Sequence, residues 1–340
     1  MPSNSAAVLV EAKAHPLQVK EAPYTSPGEN EIVVKNGAIA INPMDWLIQV
    51  MGPTLFPWIQ YPFTGGADLA GEVVEVGSGV TRFKVGDRVI GHALGFSNRN
   101  SHEAAFQNYT VVQAKMASPI PSYLSYESAT VIPLALSTAA CGLFQKDFLA
   151  LDYPSSSPKP NGETLLIWAG SSCVGGAAIQ LAVAAGYEVI TTCSPKNFEY
   201  VKKLGASQAF DYHNTNISNE LLDVFKGKKC AGAVAILPGS SEVCLEVVAK
   251  SEGKKFVAAA LPLPAELPSG VQAKFIFSGS VKDNEVGSLI YEEYLPKALA
   301  EKKFIAAPEP EVVGKGLQSI QSAYDTLRNG VSAKKVVVSL

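Results

Sequence analysis

Charge is scarce in this 340-residue chain: Asp, Glu, Lys and Arg together make up 17%, against roughly 25% in an average soluble protein. Apolar residues reach 47%, so extensive burial is expected and intrinsic disorder is excluded. There is no basic block or stripe. The 28 Lys and Arg stand against 31 Asp and Glu, a net of −3, which makes nucleic acid and acidic membrane surfaces poor partners. Cysteine is sparse. Cys141, Cys173, Cys193, Cys230 and Cys244 are five in number, widely spaced and without a CxxC, which suits neither a disulfide framework nor a zinc knuckle and fits a reducing, cytoplasmic setting. The N-terminal MPSNSAAVLVEAKAH has no basic n-region and Glu11 interrupts its apolar stretch, so a cleavable secretory signal is not expected. The final Ser-Leu lacks the Lys of a peroxisomal SKL.

Long uninterrupted apolar runs are absent too. Three uncharged stretches approach the roughly 18 to 20 residues of a membrane-spanning helix. Pro53, Pro57 and Pro62 break the one between Asp45 and Asp68, Pro133 interrupts 128–145, and the polar AGSSCVGG interrupts 164–187. Buried elements account for all three, and no membrane partner is expected.

What is present is a two-part grammar, at a length that suits two domains. The N-terminal third carries short β-branched runs between turn residues, EIVVKNGAIAIN, GEVVEVGSGV, DRVIGHA and FQNYTVV, which imply a compact, mostly β unit. Beyond about residue 125 the pattern changes. TLLIW (164–168), a small-residue loop, the helix former AAIQLAVAAG, EVITTC (188–193), the helical NFEYVKKLG and QAFDY read as β-loop-α-β-α-β, the mark of a parallel sheet with helices on both faces. AGAVAILPG and GKKFVAAAL add two buried strands, each after a helix. The chain ends in a helix, GLQSIQSAYDTLRNG, and a strand, KKVVVSL, which could pair back into the N-terminal β unit. The expected division is 1–125 with 291–340, and 126–290.

The first strongly chemical feature is the turn Gly170-Ser171-Ser172-Cys173-Val174-Gly175-Gly176. Unsatisfied N–H groups and the positive dipole end at a helix start attract a pyrophosphate. Against GxGxxG the outer glycines match Gly170 and Gly175, while Ser172 takes the middle position. An ordinary small-residue βα turn is the alternative. NAD sites place a carboxylate about 20 residues beyond this fingerprint. Here the segment reads Thr192-Cys193-Ser194-Pro195-Lys196-Asn197, with no carboxylate until Glu199. Ser194 can donate a hydrogen bond to a 2′-phosphate and Lys196 can supply a point charge, so NADPH is the expected cofactor. A surface lysine at a helix start is the plainer reading of Lys196.

The chain resembles the medium-chain dehydrogenase/reductases, specifically the zinc-lacking branch that includes quinone oxidoreductases and fungal trans-acting enoyl reductases. Ile41-Asn42-Pro43-Met44-Asp45-Trp46, Gly65 to Val73, Val85-Gly86-Asp87-Arg88-Val89, Leu136-Ser137-Thr138 and the Gly170 loop carry the resemblance, in family order. It implies a GroES-like, mostly β catalytic domain and a doubly wound Rossmann nucleotide domain. Zinc-dependent members place a Cys in the first motif, a His-Glu pair in the second and a further ligand before the Ser-Thr. This chain has Asn42, Ala67-Asp68 and Leu134 there, and a lone Asp68 cannot hold zinc, so no metal is expected. His15, His92, His102 and His213 are scattered and read as structural or surface residues.

The resemblance further implies hydride delivery from a nicotinamide to a conjugated carbonyl or quinone, where positioning and hydrogen-bond donors can suffice. By motif match Asn42, Pro43, Asp45 and Trp46 line the site and Thr138 approaches the nicotinamide, while Asp45 reads equally well as a helix N-cap. Tyr212 and Lys335 sit where members of this branch touch the cofactor, though either could be structural. Phe56, Trp58, Tyr61 and Phe63 border a substrate cleft in the resemblance or simply pack a core, and Tyr61 is the only phenol among them able to donate a proton. A family homodimer would pair through the sheet edge of the nucleotide domain. Two other functions stay open: a trans-acting enoyl reductase serving a polyketide synthase, and a non-catalytic NADPH-binding sensor.

Overall fold

The computed structural model describes residues 2–340. They form two compact units, one running to Leu134 and resuming at Ala306–Leu340, the other Ala135–Ile305. Sequence patterning puts the divisions at 125/126 and 290/291. The first lies later because Tyr126–Ala129 belongs with the β unit, where Arg88 lies 4.7 Å over the Tyr126 ring and Ser339 Oγ donates to Glu127 at 2.8 Å. The second lies later because the π-helical turn Leu289–Tyr294 and the helix Leu295–Ala300 pack into the nucleotide unit. Tyr291 there is fully buried, with its hydroxyl 2.7 Å from Ser137 Oγ, and Gln180 clamps the segment's end by bonds to both backbone groups of Ile305.

The first unit is built on a seven-stranded, mostly antiparallel sheet centred on Glu31–Ala40, which pairs with Asp68–Val76, with Tyr109–Gln113 and with the C-terminal strand Lys334–Ser339. These strands bury Ile32, Val34 and Ile39 in a core with Leu69, Val73, Val89 and Phe106, the central strand shifting register between Asn36 and Ala38. A three-stranded sheet formed by Asn4–Leu9, Gln18–Ala22 and Phe63–Thr64 stands beside it. As expected, the terminal strand returns to the N-terminal β unit: Val338 faces Ile39 and Val337 faces Ala40.

The second unit holds six parallel strands. Across the sheet they run Gln208–Phe210, Glu188–Thr192, Glu163–Ile167, Lys229–Ala235, Phe256–Ala259 and Gln272–Phe275. By chain position that is the order 3-2-1-4-5-6, the Rossmann arrangement, in which ligands bind beyond the carboxyl ends of the strands where the order reverses. Gln272–Phe275 is a strand that patterning does not reveal, because its sequence QAKF is short and mostly exposed. The helical stretch Tyr126–Phe144 is long and apolar enough to span a membrane, but 83% of it is buried inside the protein.

Candidate active site

At the reversal point, strand Glu163–Ile167 ends and helix Cys173–Ala184 begins. Ser172 is the N-cap of that helix. Its Oγ accepts from Gly175 N at 3.0 Å and donates to the Ala169 carbonyl at 2.7 Å. This explains the departure from GxGxxG, for Ser172 has φ −75° and ψ 165°, a conformation any residue adopts, and its hydroxyl supplies a cap that glycine cannot. The outer glycines are required by close approach: a Cβ on Gly170 would stand 2.2 Å from Thr191 Oγ1, and one on Gly175 would stand 2.2 Å from the Ala169 carbonyl. Ser171, Ser172, Cys173 and Val174 are half-exposed between a buried strand and a buried helix. The turn is a half-exposed helix start built of small residues, which fit a pyrophosphate.

Past the second strand, Ser194 begins a short turn closed by the Asn197 N–H on the Ser194 carbonyl at 2.8 Å. Ser194 Oγ lies 3.3 Å from the Tyr212 hydroxyl, and the Tyr212 ring packs on His213 at 4.0 Å. Lys196 is exposed and has no hydrogen-bond or ion-pair partner among the described residues. Ser194, Lys196, Asn197 and Tyr212 thus gather at one strand end with no carboxylate in the turn, a set that suits a phosphate. In helix Pro133–Phe144 every residue is buried except Leu134 and Thr138. Four positions apart, they share one face, which is the face this helix leaves accessible.

The Asn42 motif assembles by register. Val337 faces Ala40, and Ala40 faces Asp68; continuing each pairing brings Lys335 alongside Asn42, next to the Asp68 carboxylate. Lys335 Nζ donates to Asn42 Oδ1 at 2.5 Å and pairs with Asp68 Oδ2 at 2.9 Å. Asn42 Nδ2 donates to Asp68 Oδ2 at 2.8 Å, and the Leu134 N–H donates to Asp68 Oδ1 at 2.6 Å. Asn42, not Asp45, is the N-cap of helix Pro43–Met51; Asp45 is its third residue, reaching back to the Asn42 N–H at 2.7 Å as in a capping box. Burial pushes the Asp45 carboxyl up to about 7, a shift opposed by the Asn42 N–H and reinforced by Asp68. Burial pushes His92 down to about 4. Pro43 is exposed and Trp46 is half-buried against the sheet core.

Sequence reasoning identified Asn42, Asp68 and Lys335 one at a time and missed that they form one network. The missing signal was the return of the C-terminal strand, since no local pattern couples residues 42 and 335. These donors do not fit zinc: an amide, a carboxylate already paired with an ammonium, and a leucine occupy the ligand positions. Among the described residues no group of three or more His, Cys, Asp or Glu could hold a metal.

The aromatic segment takes a packing role. Phe56, Trp58, Tyr61 and Phe63 are half-buried against Leu9, Ile48 and Ile59. Trp58 meets the Phe96 ring at 4.8 Å and carries Arg99 over its face at 4.9 Å. The Tyr61 hydroxyl is buried beside Gly52 with no partner among the described residues, and burial raises its pKa.

With this geometry in place, comparison with known proteins is decisive. The alcohol dehydrogenase GroES-like domain family matches residues 28–122 and the zinc-binding dehydrogenase family matches residues 173–300. The chain is 56% identical to the dehydrogenase orf1 of Aspergillus niger, with all of both chains covered. This protein belongs to the medium-chain dehydrogenase/reductase family. It is an oxidoreductase with a GroES-like domain and a Rossmann nucleotide-binding domain. It is also 40% identical to the trans-enoyl reductase himH of Aspergillus japonicus, over 99% of this chain and 97% of that one. The Escherichia coli quinone oxidoreductase complexed with NADPH superposes with a TM-score of 0.73 at 21% identity, all of both chains covered. At the positions where the resemblance places zinc ligands, this chain carries Asn42, Ala67-Asp68 and Leu134.

Proposed function

We propose that the protein is a metal-independent, NADPH-dependent reductase that delivers hydride to a conjugated carbonyl, either an enone, an enal or a quinone. The observation that carries the reading is the end of the second Rossmann strand, where Ser194 and the unpartnered Lys196 replace the carboxylate of an NAD site. The NADPH named in the Escherichia coli relative's structure supports the same choice. When bound, reduced nicotinamide supplies the hydride. The start of helix Cys173–Ala184 would hold the pyrophosphate, Ser194 and Lys196 would hold the 2′-phosphate beside Tyr212, and Thr138 would position the nicotinamide. A conjugated acceptor spreads developing negative charge onto its oxygen, so hydrogen-bond donors stabilise the transition state without a Lewis acid.

The himH relative favours a second, narrower reading, a trans-acting enoyl reductase serving a carrier-bound polyketide. A screen of NADPH oxidation with quinones, enals, enones and carrier-bound enoyl groups tests both. Turnover of free acceptors supports the first reading and turnover of carrier-bound groups alone supports the second. Tight NADPH binding without any turnover would leave a sensor and sink both.

A further inference from the structure

We propose that the buried Lys335 ammonium is the resident cation of this site, standing where zinc-dependent relatives hold their metal and acting through the Asn42 carboxamide and the Asp68 carboxylate as a positioning residue for hydride transfer. The inference rests on the reductase reading above. The side chains of Lys335 and Asp68 are 4% and 0% exposed. An ion pair this deep is a poor stabiliser, because desolvation consumes most of the attraction and apolar substitutes are often as good. Its presence therefore suits a role other than stability.

The geometry supplies one. By the resemblance, Asn42, Ala67-Asp68 and Leu134 stand where metal-dependent members carry ligands, and Asn42, Asp68 and the Leu134 backbone meet here. Asp68 accepts from the Asn42 side chain, from the Leu134 backbone and from Lys335, and Lys335 also holds Asn42 Oδ1. Charged groups anchor both ends of the Asn42 carboxamide, so its orientation is set. The ammonium arrives on the C-terminal strand, by the register that joins Val337 to Ala40. One cation thereby orders the same chain segments that a metal would, and no chelator can remove it.

Two experiments on the full-length protein test this. The first needs neither cofactor nor acceptor: Asn42→Cys/Ala67→His is titrated with Co²⁺, with and without Lys335→Met. If the ammonium fills the metal's place, cobalt with tetrahedral thiolate bands binds only when Lys335 is also replaced. Equal binding in both backgrounds, or none in either folded protein, overturns the placement. The second compares kcat at saturating NADPH. Lys335→Met should fall by about tenfold or more with Lys335→Arg partly restored, and Asp68→Asn/Lys335→Met should fold yet stay slow. The double variant also serves if Lys335→Met alone fails to fold. Wild-type kcat in the double variant would reduce the pair to a strut, and a loss confined to NADPH affinity would make Lys335 a cofactor contact; either overturns the proposal. Absence of wild-type turnover with every acceptor would defeat the reductase reading, while the cobalt titration would still report on the cation.

Discussion

Lys196 stands exposed and unpartnered beside Ser194, so its contribution can be isolated by truncation. Lys196→Ala should weaken NADPH by about 1–3 kcal/mol, the range for a charge-assisted bond, and leave NADH nearly unchanged. Equal losses for both cofactors in fluorescence titration would show that it reads something other than the phosphate. Asp45 and His92 make a second residue-scale case, because their shifts oppose each other. The Asp45 carboxyl is raised from 3.8 to about 7 in the folded protein, so the stability it contributes is full at low pH and is lost as pH rises through 7. His92 is lowered from 6.5 to about 4, so its contribution is full above 6.5 and is lost as pH falls through 4. Between about 4 and 6.5 the two slopes, each about 1.4 kcal/mol per pH unit, cancel. Asp45→Asn should make stability rise with pH across that window, and His92→Gln should make it fall. Urea midpoints at pH 4.5 and 6.5 check both, and parallel behaviour of the two variants would contradict the opposition. The position of Ser194 and Lys196 just past the second Rossmann strand was legible from sequence because its spacing from the Gly170 turn is local. The engagement of Asn42 was not, since its partners lie 26 and 293 residues away.

Among the elements, the phosphate turn and the C-terminal strand matter most. Ser172→Ala removes the cap on Gly175 N and should cost about 1 kcal/mol of stability. Gly175→Ala is harsher, since its Cβ meets the Ala169 carbonyl at 2.2 Å; shifting that carbonyl should weaken NADPH about tenfold or more. Calorimetry of both variants separates the effects, and NADPH affinity unchanged in Gly175→Ala would place the pyrophosphate elsewhere. Strand Lys334–Ser339 lies inside its sheet, between Glu309–Lys315 and Glu31–Ala40, with Val336, Val337 and Val338 fully buried. A chain ending at Ala333 should therefore fail to fold its β unit, and native-like circular dichroism would refute that. Periodicity revealed most strands and the main helices because burial imposes it. It failed at Gln272–Phe275, where four mostly exposed residues carry no apolar signal, and it left cleft wall and core packing both open for the aromatic segment, which packs on Leu9, Ile48 and Ile59.

At the scale of the whole molecule, the chain comprises a Rossmann unit, for which NADPH is the proposed cofactor, and a β unit with a buried Lys335–Asp68 ion pair. Thr138 lies on the accessible face of an otherwise buried helix. Thr138→Val keeps its volume and removes a hydroxyl, so kcat should fall while acceptor KM moves little. Alanine at Trp58 should instead act on stability, through lost packing on Phe96, and leave acceptor KM unchanged. Steady-state kinetics with one quinone and one enone decide both. All five cysteines are unpaired. The most direct test of the central claim is the rate of acceptor reduction by chelator-treated protein with NADPH and with NADH. Undiminished turnover in chelator and a preference for NADPH of about tenfold or more are expected, as a charge-assisted phosphate contact implies. Activity that disappears with the chelator and returns with zinc, or that runs equally well on NADH, would contradict it.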